Sequence, residues 1–221
     1  MAIEALIFDL DGTLVDTAPD LLHATNHALS LHKRPPVSMA QLRSFVGHGA
    51  MNLIERGINA TGAPADGATL KRLHGAFLDY YGANIAVSSV MFDGLESLLQ
   101  RAETRGLKFG VCTNKVEHLS FKLLAELGQA KRFPAIVGGD TLSVMKPDPA
   151  PYLEVARLLG VDVSRTLMFG DSETDILTAQ NAGVPVIAVS FGYTSQHVST
   201  FNPTHVIDHY DEAWEILQRY F

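Results

Sequence analysis

The chain has 221 residues, of which 47% are apolar and 19% charged, a balance typical of globular proteins. A chain of this length can form one large domain, or a core domain with a smaller inserted one. Its net charge of −7, with lysine and arginine scattered along the chain, disfavours a nucleic-acid-binding surface. No segment approaches the roughly 20 apolar residues that a membrane-spanning helix needs.

Cysteine usage gives an expectation about the cell compartment. Cys112 is the single cysteine, so the chain cannot form an internal disulfide framework. The first residues lack the pattern of a secretory signal peptide, and the two observations together predict a cytoplasmic protein. Cys112 itself lies in an apolar segment and is expected to be a small buried side chain.

Short apolar segments predict six buried parallel strands, since each is followed by turn residues and several by a helical pattern. The predicted strands are Ala5–Phe8, Lys108–Cys112, Ala135–Val137, Thr166–Phe169, Val184–Val189 and His205–Ile207. Apolar residues at helical spacing separate them, for example from Leu95 to Ala102. This alternation predicts an α/β fold with a doubly wound parallel sheet.

The stretch from about residue 16 to 88 interrupts this alternation, because it shows helical periodicity and no strand pattern. The helical segments are the stripe from Leu21 to Leu29, then Leu42–Gly57 and Ala68–Tyr81, punctuated by proline and glycine. The simplest interpretation is a helical domain of residues 16–88 inserted into a core of residues 1–15 and 89–221.

The first candidate catalytic motif follows the first predicted strand. Asp9 and Asp11 stand two residues apart in the motif D-L-D-G-T, in which Gly12 permits a sharp turn. At the carboxyl end of a strand, both carboxylates can face the crevice in which open α/β sheets bind ligands. Such a pair suits a cation with oxygen ligands such as Mg²⁺, and it suits a nucleophile beside a proton donor. Taken alone, it also fits an acidic turn at a helix N-terminus.

Two further motifs point to phosphate binding. Thr113 and Asn114 directly follow the strand Lys108–Cys112, where a hydroxyl and neighbouring backbone N–H groups can bind phosphate oxygens. Lys146 precedes Pro147 at the expected edge of the same crevice, where a fixed ammonium group can neutralise a phosphate and a carboxylate together. Each motif alone has an ordinary alternative, a helix cap for Thr113 and a solvated surface side chain for Lys146.

Acidic residues also follow the strand Thr166–Phe169. Asp171 stands at the end of this strand, after Gly170, and Asp175 lies one helical turn later, so both can face one cation. Alone, this pattern is equally an acidic helix N-terminus. The four motifs together supply carboxylates for a metal, a lysine and a hydroxyl for phosphate, and a nucleophile with a proton donor. Their shared position beside strand ends therefore predicts a phosphoryl-transfer site.

In these motifs the chain resembles the haloacid dehalogenase superfamily over essentially its whole length. The resemblance rests on D-L-D-G-T at 9–13, on Thr113 and Lys146, and on Gly170-Asp171 with Asp175. It implies an α/β core with a mobile helical cap that closes over the substrate and excludes water. Residues 16–88 are expected to form that cap.

The resemblance also implies catalytic roles. Asp9 is expected to be the nucleophile that forms an aspartyl-phosphate. Asp11 is expected to protonate the leaving oxygen and then to activate water. Thr113 and Asn114 are expected to hold the phosphoryl group, while Lys146 stabilises Asp9 and the phosphate.

The same resemblance implies Mg²⁺ as the cofactor, bound by Asp9, the backbone carbonyl of Asp11 and Asp171, with Asp175 in support. The expected partner is a small phosphorylated metabolite, with neither nucleic acid nor membrane involved. The chain is expected to be a monomer or a homodimer, since the exposed face of an amphipathic segment at Asp211–Leu217 can support a dimer without requiring one.

Within the superfamily, the chain resembles phosphoglycolate phosphatases in F-V-G-H-G-A at 45–50, N-A-G-V-P at 181–185 and F-G-Y at 191–193. Gly47 and His48 of this cap loop are therefore candidate substrate-binding residues, and His48 can contact a substrate carboxylate. A polar residue such as asparagine is more usual at position 48, and a solvated loop histidine is the alternative. The expected reaction converts 2-phosphoglycolate to glycolate and phosphate.

Other functions remain open on the sequence alone. A broad-specificity phosphatase for sugar phosphates, nucleotides or pyrophosphate would use the same motifs. A phosphomutase would also use this core, although Gly12-Thr13 is more typical of the hydrolases. A dehalogenase usually lacks an acid at position 11. A non-catalytic binding protein of this fold would be expected to have lost a catalytic residue, yet all four motifs are present.

Overall fold

The computed structural model describes residues 2–194 and 196–221. The described residues form strands that we number in chain order. They are Ala5–Phe8 (β1), Val15–Asp16 (β2), Val90–Met91 (β3), Lys108–Cys112 (β4), Ala135–Val137 (β5), Thr166–Gly170 (β6), Val186–Val189 (β7) and His205–Ile207 (β8).

Six of these strands form one parallel sheet in the order β5-β4-β1-β6-β7-β8. Strand β1 lies between β4 and β6, with Phe8 opposite both Val111 and Phe169. The strand order reverses here, so the segments that follow β1, β4 and β6 meet at one crevice beyond the carboxyl edge. The sequence motifs lie in these segments.

The helices are Ala18–Ser30 (α1), Met39–Phe45 (α2), Gly49–Thr61 (α3), Gly67–Ala83 (α4), Leu95–Thr104 (α5), Glu117–Glu126 (α6), Ala150–Leu159 (α7), Glu173–Ala182 (α8) and Ala213–Leu217 (α9). Buried apolar side chains cover both faces of the sheet. One cluster includes Ile7 with Tyr152 and Val155 of α7, and the other includes Phe8 with Leu99 of α5. The predicted doubly wound α/β fold is thereby confirmed. No helix in the described ranges is long and apolar enough to cross a bilayer.

Helices α1 to α4 form the helical segment that follows the first motif. The chain enters and leaves it through β2 and β3, which pair in an antiparallel ladder with Val15 opposite Met91. Two-residue strands carry too little periodicity for the sequence to predict them. Strand β7 begins at Val186, two residues later than predicted, because the N–H of Val184 instead binds the Ala179 carbonyl at the end of α8.

The sequence predicts one helix over Leu42–Gly57, but the structure has two helices in this range. The prediction of a continuous helix was therefore wrong. A capping box at Ser38 begins α2, which ends at Phe45. Gly47 and Gly49 then adopt φ values of 110° and 81°, in the left-handed region that interrupts a helix. The resulting loop projects from the helical segment toward the carboxyl edge of the sheet, where the Gly47 carbonyl accepts a hydrogen bond from the Asn114 side chain.

Candidate active site

Asp9 follows β1 directly and is buried at the carboxyl edge of the sheet. Its backbone N–H donates to the Phe169 carbonyl, which fixes the residue between β1 and β6. The carboxylate atom Oδ1 lies 2.9 Å from Lys146 Nζ and forms an ion pair with it. Burial raises the pKa of Asp9 to about 6, although the charge of Lys146 opposes this shift.

Lys146 is buried behind Asp9, with only 3% of its surface exposed. Its ammonium group also lies 2.5 Å from Asp175 Oδ1, so it bridges two carboxylates. Burial opposes the charged form, but Asp175 and Asp9 outweigh it and raise the pKa of Lys146 above its ordinary value. The Asn114 side chain accepts a hydrogen bond from the Lys146 backbone N–H (3.0 Å) and donates one to the Lys146 carbonyl (3.2 Å). Lys146 is therefore a fixed, permanently charged group.

Asp171 lies at the end of β6, buried beside Asp9. Its Oδ1 accepts a hydrogen bond from the Thr13 hydroxyl (3.2 Å), and Oδ2 accepts one from the Tyr193 backbone N–H (2.6 Å). Burial, reinforced by Asp175 and Asp9, raises the pKa of Asp171 well above its ordinary value. Gly12 approaches so closely that a Cβ there would overlap the Asp171 carboxylate, which explains the glycine in the first motif.

Both carboxylate oxygens of Asp175 form hydrogen bonds within the site. Its Oδ2 accepts hydrogen bonds from the N–H of Asp171, the N–H of Ser172 and the Ser172 hydroxyl, at 3.1, 3.0 and 2.6 Å. Its Oδ1 binds Lys146. Because both oxygens are occupied, Asp175 holds the loop after β6 in place and orients Lys146.

Three buried acids, Asp9, Asp171 and Asp175, bring carboxylate oxygens within 4.8 Å of one another. Lys146 neutralises one of their negative charges. The surplus negative charge and the raised pKa values of Asp9 and Asp171 fit a divalent cation with oxygen ligands. Asp9 and Asp171 are the better ligands, since Asp175 is engaged elsewhere.

Asp11 projects separately from this cluster. Its carboxylate accepts a hydrogen bond from the Thr17 hydroxyl (2.7 Å) and pairs with Lys115 Nζ at 3.0 and 3.1 Å. Lys115 also donates to the Tyr81 hydroxyl at 2.7 Å, on α4. Sequence reasoning missed Lys115 and Tyr81. The available signal was the position of Lys115 directly after the Thr113-Asn114 motif at a strand end.

A cavity of about 50 Å³ opens beside these groups, between the sheet edge and the helical segment. Most of the sequence-predicted site residues line it: Asp9, Asp11, Thr113, Asn114 and Gly47. Its remaining lining includes Lys115 and apolar side chains of α1, α3, α4 and α6. The structure therefore brings the first two motifs and the loop at Gly47 to one small cavity.

His48 does not line this cavity. It lines a neighbouring polar groove of about 190 Å³, together with Arg56 of α3 and Glu173 of α8. Burial and the charge of Arg56 lower the pKa of His48 below its ordinary value, while Glu173 opposes the shift. In this arrangement, His48 is separate from the group of residues around Asp9 and Asp11.

Residues 6–189 match the family model of the haloacid dehalogenase-like hydrolases. The chain belongs to this family. The hydrolase is 46% identical over 211 residues to the phosphoglycolate phosphatase of Mesorhizobium japonicum, an alignment that covers 96% of this chain and 93% of that protein. It is 45% identical over 202 residues to the phosphoglycolate phosphatase of Caulobacter vibrioides, covering 91% and 85%.

The fold of the hydrolase also matches solved structures. The crystal structure of a protein described as a predicted phosphoglycolate phosphatase from Haemophilus somnus superposes with a TM-score of 0.91 at 28% identity, covering 97% of each chain. Phosphatases of this family typically use a divalent metal, and the cluster of Asp9, Asp171 and Asp175 offers the acidic ligands for one.

Proposed function

We propose that this hydrolase converts 2-phosphoglycolate to glycolate and phosphate through an aspartyl-phosphate on Asp9. The observation that carries the proposal is the shared lining of one small cavity by Asp9 and Asp11, the expected nucleophile and proton donor. The phosphoglycolate phosphatases among the relatives support the same substrate.

In the first step, an Asp9 carboxylate oxygen attacks phosphorus and forms an acyl-phosphate bond. The bond between phosphorus and the glycolate oxygen breaks, and its electron pair stays on that oxygen. Asp11, in its acid form, donates a proton to the leaving oxygen, so that glycolate departs as an alcohol. Lys115 and Thr17 hold the Asp11 carboxylate at the cavity wall, on the side of the helical segment.

In the second step, water attacks the phosphorus of the aspartyl-phosphate. Asp11, now a carboxylate, accepts a proton from that water, and the bond between phosphorus and Asp9 breaks. Phosphate leaves, and both acids return to their starting states.

The remaining motif residues stabilise charge around phosphorus. Lys146 lies 2.9 Å from Asp9 and stabilises the nucleophile and the phosphoryl oxygens. Thr113 lines the cavity at the end of β4, where its hydroxyl can donate to the phosphoryl group. Asn114 also lines the cavity, while its side-chain amide positions Gly47 and Lys146.

Mg²⁺ is the proposed cation, bound by Asp9, Asp171 and the backbone carbonyl of Asp11, with Asp175 in support. When bound, it supplies positive charge that offsets the negative charge of the phosphoryl oxygens. We further propose that residues 16–88 act as a cap over a core of residues 1–15 and 89–221, and that the enzyme works in the cytoplasm. The antiparallel pairing of β2 with β3 supports that division, since both chain crossings lie there.

Phosphate release from a panel of phosphomonoesters, measured with Mg²⁺, tests the proposed function. The panel contains 2-phosphoglycolate, sugar phosphates, nucleotides and pyrophosphate, and the Asp9→Asn variant controls for contaminating phosphatases. We expect the highest kcat/KM for 2-phosphoglycolate. Similar values across the panel would reduce the assignment to a broad-specificity phosphatase. Phosphoryl transfer within a sugar phosphate, without net release, would indicate a phosphomutase instead.

A further inference from the structure

Lys115 occupies an unusual position for a lysine that belongs to no assigned motif. Its side chain is only 6% exposed, and among the described residues that line the cavity it carries the only positive charge. Its ammonium group contacts both oxygens of Asp11 and the Tyr81 hydroxyl. The neighbouring walls are apolar, including Leu53, Phe77 and Leu119. The cation therefore depends on Asp11 for its negative partner.

The contacts of Lys115 point to a site for an anion. Its ammonium group lies at the cavity, and the described lining offers it no second carboxylate apart from Asp9, which Lys146 already pairs. A buried cation beside apolar walls gains free energy from an anion that enters the cavity. A carboxylate carried by the substrate can therefore compete with Asp11 for Lys115.

We propose that Lys115 determines specificity by binding a carboxylate on the leaving group of the substrate, and that this contact replaces the Lys115–Asp11 pair. The inference rests on the proposed phosphatase function and narrows it to phosphomonoesters whose short leaving group carries a carboxylate. Binding the carboxylate thereby releases Asp11 to reach the leaving oxygen. A neutral leaving group leaves the Lys115–Asp11 pair in place and reacts slowly.

Tyr81 completes the proposed carboxylate site from the side of α4. Its hydroxyl accepts the hydrogen bond of Lys115 and donates none to the described residues. Burial, together with the charges of Asp11 and Asp20, raises the pKa of Tyr81 well above its ordinary value, so the hydroxyl keeps its proton. That proton is available for the second oxygen of a carboxylate held by Lys115. Tyr81 lies within the helical segment, so the substrate carboxylate would also join that segment to the loop after β4.

The test compares 2-phosphoglycolate with its neutral isostere, the phosphate ester of glycolamide, as substrates of the full-length enzyme with Mg²⁺. The selectivity is the ratio of the two kcat/KM values. We expect wild-type enzyme to favour the carboxylate, and Lys115→Met to lower the selectivity by about 10- to 150-fold, the range for one hydrogen bond to a charged group. The loss should appear mainly in KM for 2-phosphoglycolate. Lys131→Met, at an exposed lysine outside the cavity, is the matched control and should keep the wild-type ratio.

Four other results would contradict the inference or the proposed function. Equal losses on both substrates in Lys115→Met would mean that Lys115 only positions Asp11. A wild-type enzyme that shows no preference for the carboxylate would overturn the proposed substrate as well. If Lys115→Met does not fold, Tyr81→Phe still tests the carboxylate site, and an unchanged selectivity would contradict it. A further test needs no variant: glycolate should inhibit wild-type hydrolysis of p-nitrophenyl phosphate more strongly than glycolamide does. Equal inhibition by the two compounds would also contradict the inference.

Discussion

The carboxylate of Asp20 binds Ser89 at both the backbone N–H (2.9 Å) and the hydroxyl (2.7 Å), across 69 positions of the sequence. Asp20 stands in the first turn of α1, and Ser89 directly precedes β3. The same carboxylate also accepts the N–H of Ser88. This buried cluster joins the two places where the chain passes between the sheet and the helical segment, beside the β2–β3 ladder.

Asp20→Ala should destabilise the protein by about 3 kcal/mol, because it removes the acceptor of the buried Ser89 N–H and hydroxyl. Equilibrium unfolding in urea measures the change. Asp79→Ala, at an exposed position of α4, is the control and should stay within about 0.5 kcal/mol of wild type. Equal stability of the two variants would show that the Asp20 cluster contributes nothing to the fold.

Asp9→Asn should lower kcat by at least about 10⁴-fold, since an amide cannot form the acyl-phosphate. Steady-state phosphate release measures this loss, and circular dichroism checks the fold. Acid quenching of wild-type enzyme during turnover should trap phosphate on the protein, and the same procedure should trap none on Asp9→Asn. Near-normal turnover by the variant would refute Asp9 as the nucleophile.

Asp11→Asn should distinguish substrates by their leaving groups. An alkyl phosphate needs a proton on its leaving oxygen, whereas p-nitrophenolate leaves readily without one. We expect kcat/KM to fall about 10²- to 10⁴-fold for 2-phosphoglycolate, and much less for p-nitrophenyl phosphate. Parallel losses on both substrates would count against general acid catalysis by Asp11.

Metal removal should make stability depend on pH through Asp9. The pKa of this acid rises from an ordinary 3.8 to about 6 in the folded protein, so the folded state holds its proton more tightly than the unfolded state. Its contribution to stability is therefore complete below about pH 4 and is lost as the pH rises through 6. The loss should approach about 3 kcal/mol by pH 7 in chelator-treated enzyme, as an order of magnitude.

The measurement is urea unfolding at several pH values between 4 and 7, with and without Mg²⁺. Asp9→Asn lacks this titration, so its stability should fall less than that of wild type over the same interval. Mg²⁺ should restore more stability to wild type than to the variant at pH 7. The same pH dependence in both proteins would exclude Asp9 as its source.

Local patterns were sufficient to predict most of the sheet. Four of the six predicted core strands, including β1 and β4, coincide with the observed bounds, because buried parallel strands are short apolar segments bounded by turn residues. The motif residues were identifiable for the same reason. Asp9, Thr113 and Asp171 each follow a strand, and adjacent parallel strands bring their carboxyl ends to one edge.

Other features depended on contacts between distant segments. The break between α2 and α3, the separation of His48 from the cavity and the two-residue ladder of β2 and β3 all arise where the helical segment meets the core. Local periodicity carries no information about such contacts. It therefore predicted one helix where the structure has two, and it did not determine the position of His48.

The amino-acid sequence by itself therefore determined the α/β class, the strand positions and the acids and lysine of the four motifs. Only the tertiary structure decided the environment of those groups. It paired Lys115 with Asp11 across 104 positions, buried Lys146 between Asp9 and Asp175, and placed Tyr81 over the cavity. The physical reason is that charge, pKa and cavity size depend on distance and burial in space, whereas the motifs record only the order of residues along the chain.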